Sequence, residues 1–242
     1  MAAASLLAAD MAISFMWVWS GALIKVLVYR VLGLGLLHPH AAEALWGSLA
    51  VLSMFFFAWM GVLTRGGAYN PLTVLSAAMT GDFPRFLLTV LGRIPAQVIG
   101  SIIGVALIRE TFPEVGHGPR LNVDVHRGAL TEGLLTFMIV MISLGLKKKD
   151  PKSFFMKTWI SSIAKLTLHI LGSDLTGGCM NPASVFGWAY ARGDHITKEH
   201  LFVYWLAPLE ATLLGVWIFS LIVQPQKHKE LQEKEEKKKK SE

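Results

Sequence analysis

Long apolar runs, separated by short polar stretches, dominate the chain. Six runs are long enough to cross a bilayer, which takes about 20 apolar residues; they lie near residues 6–31, 43–64, 84–108, 128–146, 153–171 and 199–223. Two shorter runs, about 71–80 and 182–191, are too short to cross alone. At about 1.5 Å per residue, two such helices end to end cover the hydrocarbon thickness of about 30 Å. The pattern predicts an all-α membrane protein with six transmembrane helices and two half-helices.

The two short runs begin with near copies of one motif. GGAYNPLTVLSAA starts at Gly66, and GGCMNPASVFGWA starts at Gly177. Three predicted spans separate the copies, so the second copy enters the membrane from the opposite face. Residues 1–113 and 114–226 are therefore predicted to be the two halves of an inverted repeat, an arrangement that places a permeation or binding site near the bilayer midplane.

The Asn-Pro pair in each copy predicts the start of a half-helix, because Asn is a preferred N-cap and Pro a preferred first helical residue. A capping Asn uses its side-chain oxygen on the helix's own N–H groups. We therefore expect the amides of Asn70 and Asn181 to offer two outward-facing donors each. The double glycine before each Asn lets the backbone approach closely and expose carbonyl oxygens. Each copy of the motif is therefore predicted to combine the amide N–H donors of its Asn with a strip of backbone carbonyl acceptors.

Composition and charge support the membrane class. The chain of 242 residues is 53% hydrophobic, with a mean hydropathy of +0.48. Its formal net charge of +6 does not indicate nucleic-acid binding, because the lysines cluster in residues 147–157 and from Lys227 onward, as expected of interfacial lysines. The Lys-rich loop between spans four and five predicts that this loop and both termini are cytosolic. The single cysteine, Cys179, excludes an intrachain disulfide.

The C-terminal segment 227–242 is highly charged and is predicted to be a disordered or weakly helical cytosolic tail. Lys239 and Lys240 stand fourth and third from its end. This is the spacing of a dilysine signal for retrieval to the endoplasmic reticulum. A run of lysines could also produce that spacing by chance, and the tail would then only be solvated or touch lipid.

These features together resemble the aquaporin family, over nearly the whole chain up to about residue 223. Asn181-Pro182-Ala183 matches the family's NPA box, whereas the first box reads Asn70-Pro71-Leu72, and Ser184 stands where most members have Arg. With the basic tail, these departures resemble the plant small basic intrinsic proteins whose first box is NPL. The resemblance implies a homotetramer in a lipid bilayer, each subunit with its own pore.

The resemblance also suggests a selectivity filter by position. It would include His169, Gly178 and Ser184, with a second-span member near Val51 and Ser53 as the nearest polar neighbour. A His on an apolar helix is often an ordinary core residue, but the spacing to the second box favours the pore. Serine in place of arginine leaves a smaller, neutral side chain, which predicts a wider and less selective filter.

Two carboxylates lie inside predicted spans, Asp10 in the first and Glu132 in the fourth. Intramembrane carboxylates suggest function by default. The resemblance implies instead that they brace the carbonyl strips of the two loops, with a proton relay as the alternative. Cys179 lies in the second strip, and the sequence leaves open whether it faces the pore or the packing behind it.

The leading functional interpretation is a passive channel for water or another small neutral solute, with no cofactor and no bound metal. The positive ends of two half-helices would repel protons and cations. An ion-coupled transporter would need central carboxylates, and neither GGxxNP core contains one. A structural or partner-binding membrane protein with a closed pore is a third class. No span shows a nucleophile–base pair or a metal-ligand cluster, so an enzyme is not expected.

Overall fold

The computed structural model describes residues 3–149, 151 and 153–239. Eight helices carry the architecture: α1 (Ala3–Lys25), α2 (Pro39–Leu63), α3 (Pro71–Ala78), α4 (Ile94–Thr111), α5 (Val125–Lys149), α6 (Phe154–Gly172), α7 (Pro182–Arg192) and α8 (Ala207–Lys239). Short helical segments extend three of them: Val26–Val31 continues α1, Phe83–Leu88 and Thr89–Arg93 lead into α4, and Lys198–Leu201 and Phe202–Leu206 lead into α8. Leu34–Leu37 and Pro113–Val115 are helical turns within loops.

Six of these helices are the transmembrane spans, and α3 and α7 are the half-helices, as the apolar pattern predicts. In the described part of the chain, five helical stretches are both long and apolar enough to cross a membrane: Ala3–Val31, Pro39–Leu63, Phe83–Thr111, Val125–Lys149 and Lys198–Val223. The remaining span, α6, is 19 residues long. It is less apolar because it carries Lys157, Lys165 and His169.

The half-helices begin at the Asn-Pro pairs. Asn70 accepts a hydrogen bond from the Leu72 N–H at 2.9 Å, and Asn181 accepts one from the Ser184 N–H at 3.3 Å. Both asparagines have extended backbone, and the proline that follows is the first helical residue. With 8 residues in α3 and 11 in α7, neither helix crosses the bilayer alone.

Matching distortions occur in the third and sixth spans. π-helical turns at Thr89–Arg93 and Phe202–Leu206 come just before Pro95 and Pro208. A proline has no N–H to donate to the preceding turn, and its ring crowds the carbonyl four residues back. A wider turn at that place accommodates both effects. The same distortion in both halves is a further sign of the inverted repeat.

Small residues let the helices approach closely in the interior. A Cβ added to Gly100 on α4 would lie 2.1 Å from the carbonyl oxygen of Met11 on α1. A Cβ added to Gly187 on α7 would lie 2.7 Å from the carbonyl oxygen of Ser101. Such contacts are typical of membrane helices, where small side chains permit close backbone packing. They hold both α1 and α7 closely against α4.

The outer surface is apolar and the C-terminal helix is long. Leu52, Leu91 and Leu130 are each more than 60% exposed, as expected of lipid-facing side chains. Helix α8 continues to Lys239, through most of the segment for which the sequence predicts a disordered or weakly helical tail. The disorder of that tail stays a prediction. Lys240 lies outside the described residues.

Candidate functional site

A cavity of about 270 Å³ lies where the two half-helices meet. Asn70 and Leu72 of the first box and Asn181 of the second line it, as does Ser184, the residue after the second box. The other three box residues, Pro71, Pro182 and Ala183, are buried in the first turns of the half-helices. The branched side chain of Leu72 therefore takes part in the cavity wall, whereas Ala183, its counterpart in the second box, packs away from it.

The two asparagines bind each other's loops. The Asn70 amide donates to the Met180 carbonyl at 2.7 Å, and the Asn181 amide donates to the Tyr69 carbonyl at 3.2 Å. Each acceptor is the residue just before the opposite asparagine. The prediction that each asparagine offers two N–H donors to the cavity is therefore wrong, because one of the two N–H groups is already bonded. One N–H of each amide joins the half-helices, and the other remains for the cavity.

Glu132 holds the second loop. Its carboxylate accepts hydrogen bonds from the backbone N–H groups of Cys179 and Met180, both at 2.9 Å, and from the Thr176 hydroxyl at 2.6 Å. The side chain is almost fully buried. Tyr204 adds a hydrogen bond from its hydroxyl to the Thr176 carbonyl at 2.8 Å. The loop thus contacts α5 and the sixth span through a polar cluster that satisfies each carboxylate oxygen.

Asp10 holds the first loop in the matching way but with a cationic partner. Its carboxylate accepts a hydrogen bond from the Ala68 N–H at 2.7 Å and forms a two-pronged ion pair with Arg93 at 2.6 and 2.9 Å. Arg93 also donates to the Gly66 carbonyl at 2.5 Å. Asp10 is fully buried, so the guanidinium compensates a charge that would otherwise be costly to bury.

The second strip is not a regular extended segment. Gly177, Gly178 and Met180 have positive φ values of 87°, 51° and 46°. For Met180 this is an uncommon conformation, and its N–H bond to Glu132 and its carbonyl bond to Asn70 hold it there. Cys179 lines the cavity while its thiol lies 3.7 Å from the Thr176 carbonyl. The thiol therefore lies between the cavity and the packing behind the strip.

The predicted filter residues meet at one end of the cavity. His169 Nδ1 lies 3.1 Å from the Gly178 carbonyl oxygen. Gly178 has no room for a side chain, because an added Cβ would lie 2.4 Å from the His169 carbonyl oxygen. Ser184 lines the same cavity. The structure thus brings His169 and Gly178 into contact and places Ser184 in the lining of the same cavity.

The second span contributes a larger residue than expected. Ser53 lines the cavity, but its hydroxyl donates to the Ala50 carbonyl of its own helix at 2.7 Å. Val51 is buried, and it is absent from the lining of the cavity in the described structure. Trp46 faces His169 instead, with their rings stacked 5.3 Å apart. Trp46 is thus a second-span residue that lies beside His169 in the lining of the cavity.

Two lysines in the lining were not predicted from the sequence. Lys165 on α6 donates to the Tyr69 hydroxyl at 3.2 Å, and its Nζ lies 5.6 Å from the centre of the Tyr69 ring. Lys25 lines the cavity from the end of α1. Lys165 precedes His169 by one helical turn, so both lie on one face of α6. A lysine within a predicted span is itself a signal of function, and it would have indicated Lys165.

Comparison with known proteins agrees with this geometry. The sequence model of the family described as major intrinsic protein matches residues 3–219. The probable aquaporin SIP2-1 of Arabidopsis thaliana is 58% identical over 220 residues, covering 91% of this chain and 92% of that protein. The aquaporin SIP2-1 of Zea mays is 58% identical over 227 residues, covering 93% and 90%.

A solved structure has the same fold. The X-ray structure of the aquaglyceroporin from Plasmodium falciparum superposes with a TM-score of 0.64 at 19% sequence identity, over 90% of this chain and 94% of that one. At this identity the likeness speaks for the fold alone. The paired half-helices, the crossed asparagines and the sequence matches lead to one conclusion: the chain belongs to the major intrinsic protein family, the aquaporins, in the group of the small basic intrinsic proteins.

Proposed function

We propose that this protein is a passive transmembrane channel for water or another small neutral solute. The observation that carries the proposal is the pair of crossed asparagines at the cavity between two half-helices. Each asparagine keeps one amide N–H for a passing solute, and each half-helix directs its positive end at the same place. A solute that accepts hydrogen bonds is favoured there, and a cation is disfavoured.

The filter has an aromatic side and a small polar side. The rings of Trp46 and His169 stack in the lining, while Gly178 and Ser184 add little bulk to it. An arginine at the position of Ser184 would occupy more of the opening and add a fixed charge. We therefore infer a passage that admits solutes larger than water, such as hydrogen peroxide, glycerol or urea.

Asp10 and Glu132 serve in this proposal as braces. Both carboxylates are buried, and both accept hydrogen bonds from the loop that precedes an Asn-Pro pair. Neither belongs to the cavity lining in the described structure. A proton relay would need a carboxylate that exchanges protons with the solute path, so these contacts favour bracing.

Two other functions are weighed against the channel. An ion-coupled transporter needs carboxylates at its central site, and no Asp or Glu of the described chain lines the cavity. A structural or partner-binding protein with a poorly conducting pore is the remaining alternative, because Leu72 and Trp46 both narrow the path. Membership of a channel family gives no support to an enzyme.

The setting of the channel follows from sequence. We infer an endoplasmic reticulum membrane, from the dilysine spacing of Lys239 and Lys240. Cytosolic termini are inferred from the Lys-rich loop. Residues 1–113 and 114–226 would form the two halves of one channel domain, and residues 227–242 its tail. A homotetramer is inferred from the resemblance to the aquaporins.

Reconstitution tests the channel directly. Purified protein is placed in proteoliposomes, and their volume change is followed by stopped-flow light scattering after an osmotic step with water, hydrogen peroxide, glycerol or urea as the permeant. At least one of these should cross faster than in empty liposomes. Rates equal to those of empty liposomes for all four solutes would favour the structural or partner-binding alternative.

A further inference from the structure

The charges in the cavity wall are all of one sign. Within the described chain the lining includes the two lysines Lys25 and Lys165 and no Asp or Glu. The two other cations near the loops are neutralised, since Arg93 pairs with Asp10 and Arg192 pairs with Asp194 at 3.0 Å. A fixed positive charge that faces the cavity without a carboxylate beside it sets the sign of the local potential.

Lys165 is held at the depth of the asparagine boxes by Tyr69. Its ammonium donates to the Tyr69 hydroxyl at 3.2 Å and lies 5.6 Å from the ring centre, beyond the hydroxyl edge of the ring. Tyr69 is the residue directly before Asn70, and its carbonyl accepts the hydrogen bond from Asn181. Tyr69 therefore links the charge of Lys165 to both Asn-Pro boxes.

Tyr69 is itself fixed. Its ring stacks on Trp17 with centroids 4.0 Å apart and planes 8° apart, and the edge of Phe57 packs against it at 5.4 Å. An aromatic ring held on two sides has little freedom to reorient. The ammonium bonded to its hydroxyl occupies a defined place in the wall, whereas a lysine in open solvent would sample many positions.

We propose that Lys165 supplies the fixed positive charge that keeps cations out of this pore. The inference rests on the proposed channel function and names a residue that determines its selectivity. Ser184 has left the filter without the arginine charge of other members, and Lys165 provides a charge from a different helix. Lys25 adds a second charge at the mouth of the cavity.

The charge of the lysine is as large as that of the two helix ends together. Each half-helix contributes roughly half an elementary charge at its first turn, whereas the ammonium carries a whole one. The hydrogen bond to the neutral Tyr69 hydroxyl holds the ammonium without cancelling its charge. Charge interactions in a partly buried path are screened less than in water. A sodium ion at the boxes would therefore meet repulsion from Lys165 in addition to that from the two helix ends.

The test measures sodium leak and neutral-solute flux in the same proteoliposomes. Lys165→Met and Lys165→Gln both remove the charge, and Gln keeps a donor for the Tyr69 hydroxyl. Lys165→Arg keeps the charge. Lys157→Met is the matched control, because Lys157 lies on the same helix but outside the cavity lining. We expect sodium leak to rise by about tenfold or more in the two neutral variants, given the strength of charge interactions at a few Å. The sodium leak should stay low in the wild type, in Lys165→Arg and in Lys157→Met.

Each outcome decides the proposal. Neutral variants as tight to sodium as the wild type, with solute flux intact, would overturn the role of Lys165, and so would sodium leak through the wild type. Loss of folding is detected by size-exclusion chromatography, and the Gln variant then stands in for Met. Wild-type vesicles that pass no neutral solute would defeat the channel proposal. If, in that case, the two neutral variants also leaked no sodium, the pore would be closed and the inference about Lys165 would fail too. A sodium leak in Lys165→Met and Lys165→Gln would support the inference about Lys165.

Discussion

Asn70 and Asn181 exchange hydrogen bonds across the centre of the molecule, each donating to the carbonyl of the residue before the other. The same side chains accept a hydrogen bond from the first turn of their own half-helix. Each asparagine therefore fixes the start of one helix to the loop of the other. The contact between the two half-helices and their loops therefore depends on the amide groups of Asn70 and Asn181.

Asn181→Asp should abolish most of the neutral-solute flux. A carboxylate cannot donate to the Tyr69 carbonyl, and two acceptors would then face each other at the centre. The added negative charge is also attracted to the half-helix ends. Stopped-flow rates in proteoliposomes with equal protein incorporation measure the effect. Flux at the wild-type rate would show that the Asn181 amide has no part in permeation.

Ser184→Arg should narrow the filter and favour water over glycerol. Ser184 lines the cavity beside the His169 end, so a long guanidinium at this position has room to reach the opening. The permeability ratio of water to glycerol is measured in the same vesicles before and after the change. An unchanged ratio would place Ser184 away from the narrowest part of the path.

Arg93→Met should destabilise the fold by about 3–5 kcal/mol, because it leaves the buried Asp10 carboxylate without its counter-charge. Thermal unfolding in detergent measures the loss. The double variant Asp10→Asn with Arg93→Met should recover part of it, since no unpaired charge then remains. A double variant less stable than Arg93→Met alone would mean that the unpaired charge of Asp10 is not the cause of the loss.

Cys179 offers a chemical probe of the second loop. It is the single thiol of the chain and lines the cavity. A small membrane-permeant mercurial should reduce flux in part, added thiol should restore it, and Cys179→Ser should be insensitive. Because the thiol also lies against the Thr176 carbonyl, a complete block is not expected. Full insensitivity of a conducting wild type would mean that the thiol is closed off from the path.

Lys239 and Lys240 together test the location of the protein in the cell. Changing both to serine removes the dilysine spacing and leaves the spans untouched. With a tag at the N-terminus, the variant should leave the endoplasmic reticulum under fluorescence microscopy, while the wild type stays. A change of Lys237 and Lys238 to serine is the matched control, because it removes equal charge at the wrong distance from the end. Retention of the double variant would leave these lysines as ordinary charges.

The architecture could be predicted because it depends on local sequence motifs and on the pattern of apolar runs. The two Asn-Pro pairs are local helix starts, and α3 and α7 begin there. The short length of both runs and the odd number of spans between them gave the inverted repeat. The resemblance to the aquaporins suggested that Asp10 and Glu132 brace the two loops, and both side chains contact those loops.

The contacts that could not be predicted join residues far apart in the chain. Arg93 reaches Asp10 across 83 residues and Lys165 reaches Tyr69 across 96. Neither pair has a spacing rule, because the geometry of packed helices decides which side chains meet. Trp46 was within reach of sequence reasoning, since Trp46, Ala50 and Ser53 share one helix face at spacings of four and three residues. Its stacking on His169 still required the structure.

The crossed asparagines also bear on how the chain is made. Asn70 is separated by 110 residues from its acceptor Met180. At a synthesis rate of about 5–20 residues per second, the first box waits on the order of ten seconds before its partner is translated. During that interval the Tyr69 carbonyl and one Asn70 N–H have no partner from the second loop, at a depth where water is scarce. The newly inserted first half must therefore be sheltered by the insertion machinery, or hydrated through its own half-built passage, until the second half closes around it.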